Sequence, residues 1–175
     1  MSCCANNIHD KNKHGDCLLI EAIRKNKEIE AINTLIDSGL DVNARNRAGS
    51  TPLMFAAWHK NAPELVDLLI NAGADINVRC SLGRTPLMYA IRYSDDLQLI
   101  SKLIEAGADV NVKEGLGRTP LIYAISEGRR EDIINLLLDS GANPDLKDKE
   151  GFRAIDYLSN DENQIEIYQR LKNVG

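Results

Sequence analysis

Three of the four cysteines and two of the three histidines (Cys3, Cys4, Cys17, His9 and His14) crowd the start of a 175-residue chain. These residue types can bind zinc, which asks for four ligands converging on a tetrahedron. Their spacing follows no C-x2-C then H-x3-H order, so metal binding here is only an alternative reading and no cofactor is expected. The third histidine, His59, has no serine or cysteine spaced as a nucleophilic partner. The turns at Gly83 and Gly117 open helices but lack the G-x-x-x-x-G-K-[ST] order of a phosphate loop. The acid pairs Asp95-Asp96 and Glu131-Asp132 fall where helices should begin, and negative charge there complements the helix dipole. No catalytic residue emerges, and the chain is not expected to be an enzyme.

The framework that must carry any functional side chain is a repeat. Gly83-Arg84-Thr85-Pro86-Leu87-Met88-Tyr89-Ala90 returns 34 residues earlier as Gly49 to Ala56 and 34 residues later as Gly117 to Ala124. Thr51, Thr85 and Thr119 each precede a proline. A proline in the first helical turn loses no hydrogen bond, so each threonine is expected to be an N-cap. Gly39, Gly73, Gly107, Gly141 and Gly175 close the units at the left-handed position that ends a helix. Leu35, Leu69, Leu103, Leu137 and Leu171 recur at one depth of the second helices and are expected core. Such a period indicates stacked supersecondary units.

The run Gly-Arg-Thr-Pro-Leu-x-x-Ala, followed by Gly-Ala-Asp-x-Asn at Gly73 to Asn77 and Gly107 to Asn111, resembles the ankyrin repeat. The resemblance covers the chain from about Ile8 onward and implies an all-α repeat solenoid whose helix pairs are joined by projecting β-hairpin fingers. Its period of 34 exceeds the usual 33, with the extra residue falling between the helices, for example within 58–64. Met54, Met88 and Ile122 replace the histidine usual after Thr-Pro-Leu, so the family's Thr/His network is not carried over. The spacing and the Met/Tyr first helix are similar to those of stand-alone bacterial ankyrin proteins.

The expected organisation is a tail at 1–7, then one domain at 8–175. The domain comprises an N-terminal capping repeat at 8–39, central repeats at 40–73, 74–107 and 108–141, and a C-terminal capping repeat at 142–175. Glu21 stands where later units hold Phe55, Tyr89, Tyr123 and Tyr157, marking one cap. Arg153-Ala154-Ile155-Asp156 replaces Thr-Pro-Leu-Met at the other, and polar cap faces are what a solenoid needs. Asn43, Asn77 and Asn111 recur in the fingers and are expected to close their own turns. The family resemblance adds a second reading for them, as hydroxylation targets in eukaryotic relatives.

A net charge of −5 and a pI near 5.2 argue against a nucleic-acid binder, which carries a positive excess. No apolar run approaches the roughly 20 residues that span a bilayer, and no membrane role is expected. The N-terminus lacks an apolar secretory stretch and the cysteines follow no disulfide framework. The sequence is therefore expected to be cytoplasmic, with delivery to a host cell left open.

The resemblance implies recognition of another protein through the concave face and the fingers. One finger column reads Arg45, Arg79, Lys113, Lys147, and Arg84 with Arg118 forms another. Glu114 is the lone acid among the tips 45–50, 79–84 and 113–118. A positive finger edge would steer an acidic partner. Leu82 and Leu116 sit at tips where burial is hard without a partner. Trp58, His59, Arg92 and Tyr93 come just after the repeated alanines Ala56 and Ala90, and Trp, Tyr and Arg dominate interface hot spots. An internal alternative stacks Trp58 between Arg24 and Arg92. The free chain is expected to be a monomer, and a self-associating structural subunit is the other reading.

Overall fold

A computed structural model of the chain describes residues 11–57, 59, 61–158 and 165–173. Within them the 34-residue period becomes a repeated helix pair. The pairs are α1 (Leu18–Arg24) with α2 (Ile29–Asp37), α3 (Pro52–Ala56) with α4 (Ala62–Asn71), α5 (Pro86–Tyr93) with α6 (Leu97–Glu105), and α7 (Pro120–Ser126) with α8 (Glu131–Asp139). The last unit opens with a 3₁₀ turn, Ala154–Tyr157, and ends with α9 (Ile165–Asn173). Each first helix packs on the next, from α1 through α3, α5 and α7 to the 3₁₀ turn, while α2, α4, α6 and α8 form a second layer. The expected single-file solenoid is present.

The Thr-Pro signal works unevenly. Thr85 Oγ1 accepts from the Met88 N–H at 3.5 Å and Thr119 Oγ1 from the Ile122 N–H at 3.3 Å. Thr51 occupies the same place, yet its side chain makes no cap bond, and its buried hydroxyl has no hydrogen-bond partner among the described residues. The acid pairs fall at second-helix starts as expected. Asp96 caps α6 by accepting from Gln98 and Leu99, and Glu131 and Asp132 lie in the first turn of α8. Gly73 and Gly107 follow their helices at φ +89 and +93, a conformation that costs a residue with a Cβ.

The apolar columns meet between units. Leu69, Leu103, Leu137 and Leu171 are at most 4% exposed. Leu35 is only half-buried, because no described unit packs outside it. Burial of such side chains supplies about 1.5–3 kcal/mol each.

The fingers pair through turns, and no strand is formed among the described residues. Within the second finger Asn46 N–H donates to the Ser50 carbonyl at 3.0 Å. One backbone bond joins each finger to the next: Arg47 to His14, Ser81 to Ala48, Gly115 to Leu82 and Lys149 to Leu116. Close approach explains Gly117, where a Cβ would lie 2.8 Å from the Lys149 nitrogen.

The finger asparagines act between repeats and do not close their own turns. Asn43 donates to the Gly73 carbonyl at 2.9 Å and accepts from the Asp75 N–H at 2.8 Å. Asn77 and Asn111 repeat the arrangement one unit further along. The local turn is closed instead by Asp41, Asp75 and Asp109, whose carboxylates accept from the N–H of the asparagine two residues on.

Candidate functional site

The finger edge is built on a column of buried and half-buried side chains that sequence reasoning missed. Asn12, Asn46, Glu114 and Asp148 stand 34 residues apart or a multiple of that, with Cys80 between the second and the third. Each oxygen-bearing member accepts two backbone N–H groups of its own tip: those of His14 and Asp16, Ala48 and Ser50, Leu116 and Arg118, and Glu150 and Phe152. The signal was the period itself, read for hydrogen-bond acceptors rather than for apolar residues. Glu114, expected as a surface acid opposing the finger cations, is therefore buried at 5% exposure with its charge turned into the turn. Asp16 and Asp148 are buried likewise. Burial pushes the Asp148 carboxyl up, but the Tyr157 hydroxyl and the Phe152 and Glu150 N–H groups outweigh it, so it titrates below the usual carboxylate range. Asp16 is lowered in the same way, its burial outweighed by Asn46, Arg24 and Asn12.

The cations of the edge do internal work. Arg45 donates to the Arg79 carbonyl, Arg79 to the Lys113 carbonyl and Lys113 to the Lys147 carbonyl, while Lys11 reaches the Arg45 carbonyl. Each basic side chain thus clips its finger to the next and still leaves its charge at an exposed position. Arg84 and Arg118 are half-buried, their guanidinium carbons 5.7 Å from the ring centres of Tyr123 and Tyr157. Leu82 and Leu116 stand out at 56% and 55% exposure. Phe152, which the sequence did not single out, is exposed near the end of the same edge.

After the repeated alanines of the first helices the expected residues separate. Trp58 lies outside the described residues. Arg92 and Tyr93 come together, the Arg92 guanidinium 5.5 Å from the Tyr93 ring centre and its Nε 3.9 Å from Glu127. Tyr93 is exposed, with its ring 5.8 Å from that of Tyr89. Arg24 lies over the Phe55 ring.

His59 was expected on the binding face, but the structure buries it at 4% exposure. Its Nε2 bonds the Lys27 carbonyl at 2.8 Å and its Nδ1 meets the Asn61 N–H at 3.1 Å. A carbonyl only accepts and an amide only donates, which makes His59 a neutral imidazole carrying its proton on Nε2. The ring serves to satisfy loop backbone.

Among the described residues no group of three His, Cys, Asp or Glu side chains is placed to hold a metal ion. Cys3, Cys4 and His9 lie outside them, while Cys17 is buried at the start of α1. No described helix is long and apolar enough to cross a membrane.

No curated protein matches the chain. A family profile described as Ankyrin repeats (3 copies) matches residues 2–80 and again 53–148. Those spans cover most of the sequence and coincide with the stacked helix pairs and fingers, and the chain belongs to the ankyrin repeat family.

Proposed function

We propose that this protein is a non-catalytic binding module that holds an acidic partner protein along its finger edge and the adjoining concave face. Ankyrin repeats generally mediate protein–protein interaction. The observation that carries the finer reading is the finger edge itself. Leu82 and Leu116 are more than half exposed beside cations, while the nearby acids Asp16, Glu114 and Asp148 are buried. Arg45, Arg79, Arg84, Lys113 and Arg118 supply the field that steers the partner, and Trp58, Arg92 and Tyr93 supply anchors. A stack tied together by clips loses little ordering entropy on binding.

Affinity capture from the source organism tests this reading. Trp58→Ala with Tyr93→Ala, and separately Leu82→Ser with Leu116→Ser, should keep the helical circular dichroism and lower partner recovery at least about tenfold, the loss typical of hot-spot residues. Equal recovery by both double variants would sink the assignment. The free chain should scatter light as a 19.4 kDa monomer, and a concentration-dependent oligomer would favour the self-assembling alternative.

A further inference from the structure

The finger tips change chemistry along the stack. In the column of Lys13 the later units hold Arg47, Ser81, Gly115 and Lys149, and in the column of His14 they hold Ala48, Leu82, Leu116 and Glu150. At these two columns the first two tips are therefore cationic and the third and fourth small or apolar.

Between the first two fingers lies a pocket of 390 Å³ whose lining includes Lys13, His14, Asp16, Arg24, Arg47 and Phe55. Asp16 is 1% exposed and already bonded to Asn12, Asn46 and Arg24, so it is closed to an incoming group. Lys13 and His14 are exposed, and their side chains have no hydrogen-bond partner among the described residues. Arg47 spends one donor on the Lys13 carbonyl at 2.6 Å. The Arg24 guanidinium, 5.7 Å from the Phe55 ring centre, keeps nearly half of its side chain in solvent. The concentration of positive charge fits a carboxylate-bearing side chain.

Resting on the binding role proposed above, we infer that the partner segment is bipartite and polar in direction. Its acidic residues enter this pocket, and its apolar residues lie on Leu82 and Leu116. With units about 8–10 Å apart and about 3.3 Å per extended residue, the pocket is separated from Leu82 and Leu116 by roughly four to eight residues.

Titration of the full chain with hexa-aspartate, and with hexa-aspartate joined through six Gly/Ser residues to Leu-Ser-Leu in either order, tests the inference by NMR and fluorescence anisotropy. The acidic part should shift the amides of residues 13–16 and 45–48. Lys13→Glu with His14→Glu should weaken every acidic peptide at least about tenfold through like-charge repulsion. Leu82→Ser with Leu116→Ser should weaken only the apolar-tailed peptides. A phosphoserine peptide that binds in place of hexa-aspartate, with the same dependence on Lys13 and His14, would identify the anion as phosphate and overturn the carboxylate assignment. So would inorganic phosphate that competes at equal concentration. Failure of all acidic peptides to bind, or binding untouched by Lys13→Glu with His14→Glu, overturns the pocket. The wider binding role falls separately, when capture of the native partner ignores Leu82, Leu116 and Tyr93.

Discussion

At the N-terminal end of the stack Ala31 occupies the column that later holds Leu65, Leu99, Ile133 and Ile167, whereas the C-terminal end keeps full size and changes polarity. There Asp156 stands where Ile20, Met54, Met88 and Ile122 are buried, and Tyr168 stands at 42% exposure where Ile32, Val66, Ile100 and Ile134 are buried. The first end trims apolar surface and leaves Leu18 and Leu35 partly in water. The second replaces apolar surface, with the Lys172 ammonium lying 4.6 Å from the Tyr168 ring centre. The difference separates the columns by direction, since those exposed at the first end pack toward the preceding unit and those exposed at the second toward the following one. A nearest-neighbour stack requires that division.

One column offers the largest test. Leu171→Ala, at 4% exposure in the last unit, should cost about 2–5 kcal/mol, while Leu35→Ala in the first unit should fall below that range. Urea denaturation reads the difference, and equal costs would remove the distinction between the ends.

The next effect compares two buried carboxylates. Asp148→Ala strands the Glu150 and Phe152 N–H groups and the Tyr157 hydroxyl inside the last finger, at about 1–3 kcal/mol. Asp16→Ala should cost less, because its partner Arg24 can turn to water. Both carboxyls titrate lower in the folded chain. Their stabilisation is therefore complete above the unfolded value of about 3.9 and disappears as pH falls through the lower folded values. The deficit of Asp148→Ala relative to the parent chain should shrink over that acid range, and a deficit constant from pH 7 to the acid limit would contradict the linkage.

The smallest effect concerns the exposed pair Glu21 and Lys25 at the first end. Glu21→Gln should change stability by no more than about 0.5 kcal/mol, whereas Glu21→Phe would restore the aromatic column and enlarge the exposed apolar end. A rise in light scattering for Glu21→Phe alone checks that Glu21 serves as a cap.

The fold was legible because the period repeats helix signals in register, and Thr-Pro, Gly and Leu columns need only local geometry to be read. The candidate site was harder to read because its side chains answer to groups that sequence does not display. The column of Arg45 and Arg79 showed charge but hid the carbonyl of the next finger that each one clips. Glu114 counted as surface acid until the turn around it supplied two donors. His59 shared a column with Tyr93 yet turned inward to the Lys27 carbonyl. Thr51 matched Thr85 in sequence but lacks its cap bond. The clips and the Glu114 turn keep the period in their partners as well, whereas His59 and Thr51 depart from their columns.

The most direct test is amide chemical-shift mapping of the isotope-labelled chain against its captured partner. Shifts should concentrate at the tips 45–50, 79–84 and 113–118 and at Arg92 and Tyr93. Shifts confined to the outer helices, around Glu64, Asp67, Glu105 and Glu131, would contradict recognition by the finger edge.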